Sequence, residues 1–125
     1  MSKKKTILLV DDTPDILDAL ELVLGMEGYA IERATTQSQV DERIKDTSEL
    51  PNLILLDVLL SGQDGRVIAK SLKAASKTKN IPIIMMSAHP NVSKTITEAG
   101  ADDFIAKPFE MEELLSKIKK HISKK

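Results

Sequence analysis

The chain has 125 residues, 18 Lys and Arg against 19 Asp and Glu, and is 42% hydrophobic and 30% charged. This suits one ordinary water-soluble domain spanning 1–125, with a sizeable core and no room for a second domain beside it. Near-balanced charge gives no reason to bind nucleic acid or an anionic membrane directly, and the absence of cysteine excludes disulfides and thiolate metal sites.

The opening MSKKKTILLV has a basic prefix and an apolar run too short for a signal-peptide core or a bilayer span, so a cytoplasmic location is expected. The lysines at 3–5 and along 117–125 read as solvated tails. TILLV (6–10) is the first of three continuously apolar runs, the pattern of strands covered on both faces. After DDTPD, Thr13 is placed to cap a helix with Pro14 at its first position, and Ile16, Leu17, Leu20, Val23 and Leu24 form its apolar stripe. YAIERA (29–34) reads as a weaker strand, Val40 and Ile44 as a short second helix, and DTSELPN (46–52) as the longest loop.

LILLDV (53–58) is the second apolar run, and Asp64 precedes a third helix carrying Val67, Ile68 and Leu72. IIMMS (83–87) is the third run, followed by a fourth helix with Val92, Ile96 and Ala99 and a stop at Gly100. DFIA (103–106) is another weak strand, and Met111, Leu114, Leu115, Ile118 and Ile122 stripe a final helix. Strand followed by helix, five times over, predicts an α/β domain: a parallel sheet with helices on both faces.

Ligands of such sheets bind outside the carboxyl ends of the strands. At those ends stand Asp11 and Asp12, then Asp57, then Ser87 with Ala88, then Lys107 before Pro108. Taken singly, Asp11 or Asp12 reads as a helix-capping acid, Ser87 as a loop hydroxyl and Lys107 as a surface lysine. Asp57 is harder to dismiss, because a charge ending LILL needs a partner. Jointly they are a site. Carboxylates without thiols or paired histidines suit a hard cation, and Mg2+ is the natural choice. With Asp57 as nucleophile toward phosphorus, Lys107 and the cation can neutralise phosphoryl oxygens while Ser87 donates a hydrogen bond to one, giving an aspartyl phosphate. His89 reads as a loop residue near the site and His121 as a solvated residue of the last helix.

These motifs, LLVDD (8–12), LILLDVLLSGQDG (53–65), MSA (86–88) and GADDFIAKPF (100–109), resemble in this order the response-regulator receiver domain of two-component signalling. The resemblance covers essentially the whole chain and implies a flavodoxin-like fold of five strands in the order 2-1-3-4-5 with five helices. It implies that Asp57 is the phosphorylation site, that Asp12 binds Mg2+ directly with Asp11 helping through water, and that the backbone carbonyl of Leu59 is a further ligand. It makes Ser87 the switch hydroxyl, Lys107 the phosphate-contacting lysine and Phe104 the switch aromatic. Ser61 departs from the proline common in the family. From 87 to 107 the chain runs 20 positions, about two fewer than in many relatives, which predicts a shortened fourth helix or preceding loop. Leu59 and His89 stand where the family tunes phosphate hydrolysis.

The function this implies is a stand-alone receiver. It takes phosphate from a histidine kinase or histidine phosphotransfer protein and acts through contact with an output protein, as a monomer or weak dimer. It is not an enzyme beyond its own phosphotransfer and dephosphorylation. A receiver excised from a larger hybrid kinase or regulator is the alternative. A phosphohydrolase of the DxDx[TV] type is disfavoured, because Val58 and Leu59 follow Asp57. A flavin or nucleotide module is disfavoured too, because DDTPD offers repelling carboxylates and a proline in place of backbone donors.

Overall fold

A computed structural model describes residues 4–45, 50–60, 62–88 and 93–122. In chain order the elements are β1 (Thr6–Val10), α1 (Pro14–Met26), β2 (Ala30–Ala34), α2 (Gln37–Arg43), β3 (Leu53–Asp57), β4 (Leu59–Leu60) and β5 (Gln63–Asp64). Then come α3 (Gly65–Ala74), β6 (Ile83–Ser87), α4 (Ser93–Glu98), β7 (Asp103–Ala106) and α5 (Met111–Ile122). The five long strands form a parallel sheet of order β2-β1-β3-β6-β7, which is the expected 2-1-3-4-5 once the small antiparallel pair β4–β5 is set aside.

Strand alternation explains why the three central runs are apolar throughout. Ile7 and Leu9 of β1, Leu53 and Leu55 of β3, and Ile84 and Met86 of β6 face α1 and α5, where they meet Leu17, Leu20, Leu114 and Ile118. Leu8, Ile54, Leu56 and Met85 face the other way, onto Val40 of α2, Ile68 and Leu72 of α3 and Ile96 of α4. Every residue of β3 and β6 is buried, whereas most of the edge strands β2 and β7 is only partly covered, hence their weaker apolar signal.

Helix punctuation follows the residue chemistry. Pro14 opens α1, although the Thr13 side chain makes no capping bond; its N–H donates instead to Asp11 Oδ1 at 2.9 Å. Asp64 caps α3, its Oδ1 accepting from Arg66 N at 2.9 Å. Gly100, at φ +93°, turns the chain out of α4 as only a residue without a β-carbon does readily. The Lys107–Pro108 peptide is cis.

Several expectations change. The β4–β5 hairpin was not anticipated, since two-residue strands carry no periodicity. Val67 does not join the buried stripe of α3: it is 63% exposed, and Gly65, Ile68, Ala69 and Leu72 form the inward arc. His121 is not solvated; its side chain is 10% exposed and its Nε2 lies 2.9 Å from Asp103 Oδ2. Lys5 and Lys117 are also tied in, Lys5 Nζ donating to the Ile122 carbonyl and Lys117 Nζ to Asp103 Oδ1. Among the described residues α4 spans six, Ser93–Glu98. Ser61, His89 and Val92 lie outside the described residues. Among the described residues no helix is long and apolar enough to cross a membrane.

Candidate functional site

The site grows out of strand parity at the carboxyl edge of the sheet. Asp11 continues the alternation of Ile7 and Leu9, Asp57 that of Leu53 and Leu55, and Lys107 that of Ile105, so the three project toward the α1–α5 side, Asp11 and Asp57 from adjacent strands and Lys107 from the edge strand beyond β6. Ser87 has the opposite parity, beside Ala106 in the register of β6 and β7.

The side chains converge accordingly. Lys107 Nζ lies 3.2 Å from Asp11 Oδ2 and 3.4 Å from Asp57 Oδ2. Oxygens of Asp11, Asp12 and Asp57 all fall within 4.8 Å of one another. Asp11 is fully buried, Asp57 is 7% exposed, Ser87 is buried and Asp12 is partly open to solvent. Burial is the main cause pushing the Asp57 carboxyl above its ordinary value; Lys107 opposes it, the Asp11 charge adds to it, and a hydrogen bond from the Leu59 N–H opposes it. A carboxylate held in that balance gains from any further positive charge.

Oxygens sharing an octahedral cation at ~2.1 Å stand about 3 Å apart when adjacent and about 4 Å apart when opposite, so the three carboxylates must draw together to share one ion. With one ammonium against three carboxylates, the donor set fits a divalent cation and leaves a lysine free to face an anion. The Leu59 side chain is exposed. Phe104 is half-buried on β7, opposite Met85 and against the core on the α2–α4 side, two strand positions from the pair Ser87–Ala106. The structure thus brings Asp11, Asp12, Asp57 and Lys107 together, with Ser87 buried at the end of the adjacent strand β6 and Phe104 on β7 outside the carboxylate cluster.

Residues missed in the sequence lie both beside this cluster and at the opposite, amino edge of the sheet. Gly65 packs against the Asp57–Val58 backbone, signalled only by the DG pair at 64–65. Arg66 binds Asp64 and reaches Thr95 Oγ1 of α4 at 2.9 Å. Lys73 ties Asp102 to the Ile81 carbonyl, a long-range clasp with no local sequence signal.

Fold and site together define a doubly wound α/β domain with a buried carboxylate cluster at the carboxyl edge of its sheet. The chain belongs to the response regulator receiver domain family, whose model matches residues 7–119. It is 41% identical over 117 residues to the phosphate regulon transcriptional regulatory protein PhoB of Pseudomonas aeruginosa, covering 92% of this chain and 50% of that protein. The chain spans about half the length of the curated relatives it matches. Among solved structures it is similar to the signal receiver domain of a signal transduction histidine kinase from Syntrophus aciditrophicus, with TM-score 0.86, 30% identity, and coverage of 95% of this chain and 90% of that one. It is also similar to the receiver domain of sensor histidine kinase PA1611 from Pseudomonas aeruginosa, which holds a magnesium ion in its active-site cleft. There the TM-score is 0.85 at 26% identity, over 97% of this chain and 99% of that one.

Proposed function

We propose that this chain is a phospho-accepting switch in which Asp57 takes a phosphoryl group from the phosphohistidine of a kinase or phosphotransfer protein. The observation that carries this reading is the juxtaposition of Lys107 with both Asp11 and Asp57, inside a cluster that also includes Asp12. An Asp57 carboxylate oxygen attacks phosphorus, the P–N bond breaks, and the imidazole leaves with the bonding electron pair; the product is an aspartyl phosphate. Asp11, Asp12, Asp57 and the Leu59 carbonyl would hold Mg2+, which when bound would supply positive charge against the phosphoryl oxygens. Lys107 stays within reach of the same oxygens, and Ser87 donates a hydrogen bond to one of them. The magnesium in the PA1611 receiver supports the choice of ion.

The donor must bring its phosphohistidine to the cleft, and an open apolar cavity of about 420 Å³ adjoins it, lined by Ile16, Ala19, Pro108 and Phe109 as well as Lys107. That cavity offers the donor an apolar seat. The chain catalyses only its own phosphorylation and dephosphorylation, in the cytoplasm, as a monomer or weak dimer, and passes its state to an output protein. A receiver within a longer regulator or hybrid kinase is the second reading, favoured by relatives twice its length and by the kinase receiver it resembles.

Incubation with Mg2+ and acetyl phosphate, followed by mass spectrometry, tests the assignment. Phosphate is expected on Asp57 alone and absent from Asp57→Asn; label on another aspartate, or unchanged labelling of the variant, overturns it.

A further inference from the structure

Gly65 has no left-handed backbone to explain it: its φ is not positive, unlike those of Gly28, Gly62 and Gly100. What it has is a neighbour. A β-carbon there would collide with the carbonyl oxygen of Asp57 and lie 3.0 Å from its carbonyl carbon and 3.1 Å from Val58 Cα. All three are backbone atoms, so no side-chain movement relieves the collision. The Gly65 N–H donates to the Val58 carbonyl at 2.7 Å, while the Val58 N–H donates to the Met86 carbonyl at 2.9 Å. Val58, the residue following Asp57, is therefore held through its N–H by β6 and through its carbonyl by the first residue of α3.

The bond between Gly65 and Val58 also closes a loop. Between β3 and α3, Leu59 and Leu60 pair with Asp64 and Gln63 in the small antiparallel β4–β5 pair, and the bond from Gly65 to Val58 closes that pair at its base. Leu59, whose N–H bonds the Asp57 carboxylate, is the first residue inside it. Gln63 Oε1 steadies the far side by accepting from Gln37 N at 2.8 Å, and Asp64 caps α3.

We infer that Gly65 is a positioning residue for the phospho-accepting site: its missing side chain lets α3 close the loop after Asp57 and so fixes the Leu59 backbone against the carboxylate cluster. This rests on the reading of Asp57 and its cation given above. A side chain at 65 forces α3 away from β3 and breaks the 2.7 Å bond that closes the β4–β5 pair against Val58, which loosens the hold on the Leu59 backbone.

The test compares Gly65→Ala with Leu72→Ala, a truncation in the buried face of the same helix about two turns further along. Mg2+ is titrated while amide shifts of Asp12, Asp57 and Leu59 are followed in the folded protein. Gly65→Ala should weaken Mg2+ binding roughly tenfold to a hundredfold, as loss of a group supporting metal ligands does. Leu72→Ala should lose stability and keep its affinity within about twofold, because its cavity lies away from the ligands. Equal Mg2+ affinity in Gly65→Ala and wild type overturns the inference, as does an equal loss in Leu72→Ala. If Gly65→Ala does not fold, hydrogen exchange in the wild type decides. Metal that needs the loop closed must in turn favour closure, so Mg2+ should slow the Gly65 amide several-fold more than the Leu72 amide. Equal slowing overturns the inference. Wild type that binds Mg2+ but takes no phosphate on Asp57 refutes the functional reading and leaves the positioning role standing.

Discussion

Lys107 Nζ stands 3.4 Å from Asp57 Oδ2, joining the residue after the last strand to the end of the middle one. The same ammonium is 3.2 Å from the fully buried Asp11, so one cation offsets two carboxylates that have little water around them. Replacing it by an isosteric apolar chain, Lys107→Met, leaves those charges uncompensated, a change that costs about 3 kcal/mol in comparable buried pairs. The variant should melt well below wild type in chelator, and Mg2+ should close much of the gap because the metal then has less competition. Melts of both proteins with and without Mg2+ check this; a variant as stable as wild type in chelator contradicts it.

Asp57 carries the opposite sign of effect. Folding raises its pKa, mainly through burial, so the fold favours its protonated form. Its contribution is fully present below the ordinary value of 3.8 and is lost as pH rises through the raised value. Asp57→Asn, and by relief of crowding Asp12→Asn, should therefore stabilise the metal-free protein at neutral pH by on the order of 1 kcal/mol, a few degrees of melting temperature. The advantage of Asp57→Asn should shrink toward acid, and Mg2+ should stabilise wild type more than either variant by mass action. Urea melts across the acid-to-neutral range are the measurement, and a variant less stable than wild type in chelator at neutral pH is the adverse result.

A third carboxylate behaves as an ordinary stabiliser. Burial pulls the Asp103 carboxyl upward, but His121, the Phe104 N–H and Lys117 together hold it below 3.8. A pKa lowered by folding contributes stability that is present above the unfolded value and lost as pH falls through the folded one. Asp103→Asn should cost about 1–2 kcal/mol at neutral pH, and the cost should vanish in strong acid. A difference from wild type that stays constant down the acid limb would mean that packing, not charge, holds α5 to β7.

The contrast between these carboxylates shows what the sequence makes legible. The buried runs at β1, β3 and β6 announce the sheet because both faces are covered, and the polar residue ending each run then stands out as Asp11, Asp57 or Ser87. Strand order is not written in periodicity; it came from resemblance. His121 misled because a histidine among lysines near a chain end looks solvated, while the acid that draws it inward lies 18 residues earlier. The role of Gly65 was hidden behind a bare DG pair for a related reason: it depends on a strand the glycine meets only in the folded chain.

Ser87 and Phe104 lie on adjacent strands, Ser87 opposite Ala106 and Phe104 opposite Met85, with Ser87 buried and the aromatic ring only half-covered. On the proposed reading, a phosphoryl group on Asp57 would present an acceptor oxygen that draws the Ser87 hydroxyl toward the cleft, and this would vacate volume on the side where Phe104 sits. Burying part of the ring there favours the switched state by on the order of 1 kcal/mol, a several-fold change in partner affinity. Phe104 has no hydroxyl to hold it outward, so packing governs its rotation. Phe104→Tyr should be mild, whereas Phe104→Ala and Ser87→Ala should accept beryllofluoride with Mg2+ yet fail to pass the change on. The amides of 93–100 and 104–115 report it: large shifts are expected in wild type and Phe104→Tyr, small ones in the two alanine variants. Ser87→Ala with the full wild-type pattern of shifts would show that the cleft speaks to α4 and β7 by another route, of which the Arg66 bridge from Asp64 to Thr95 is the nearest.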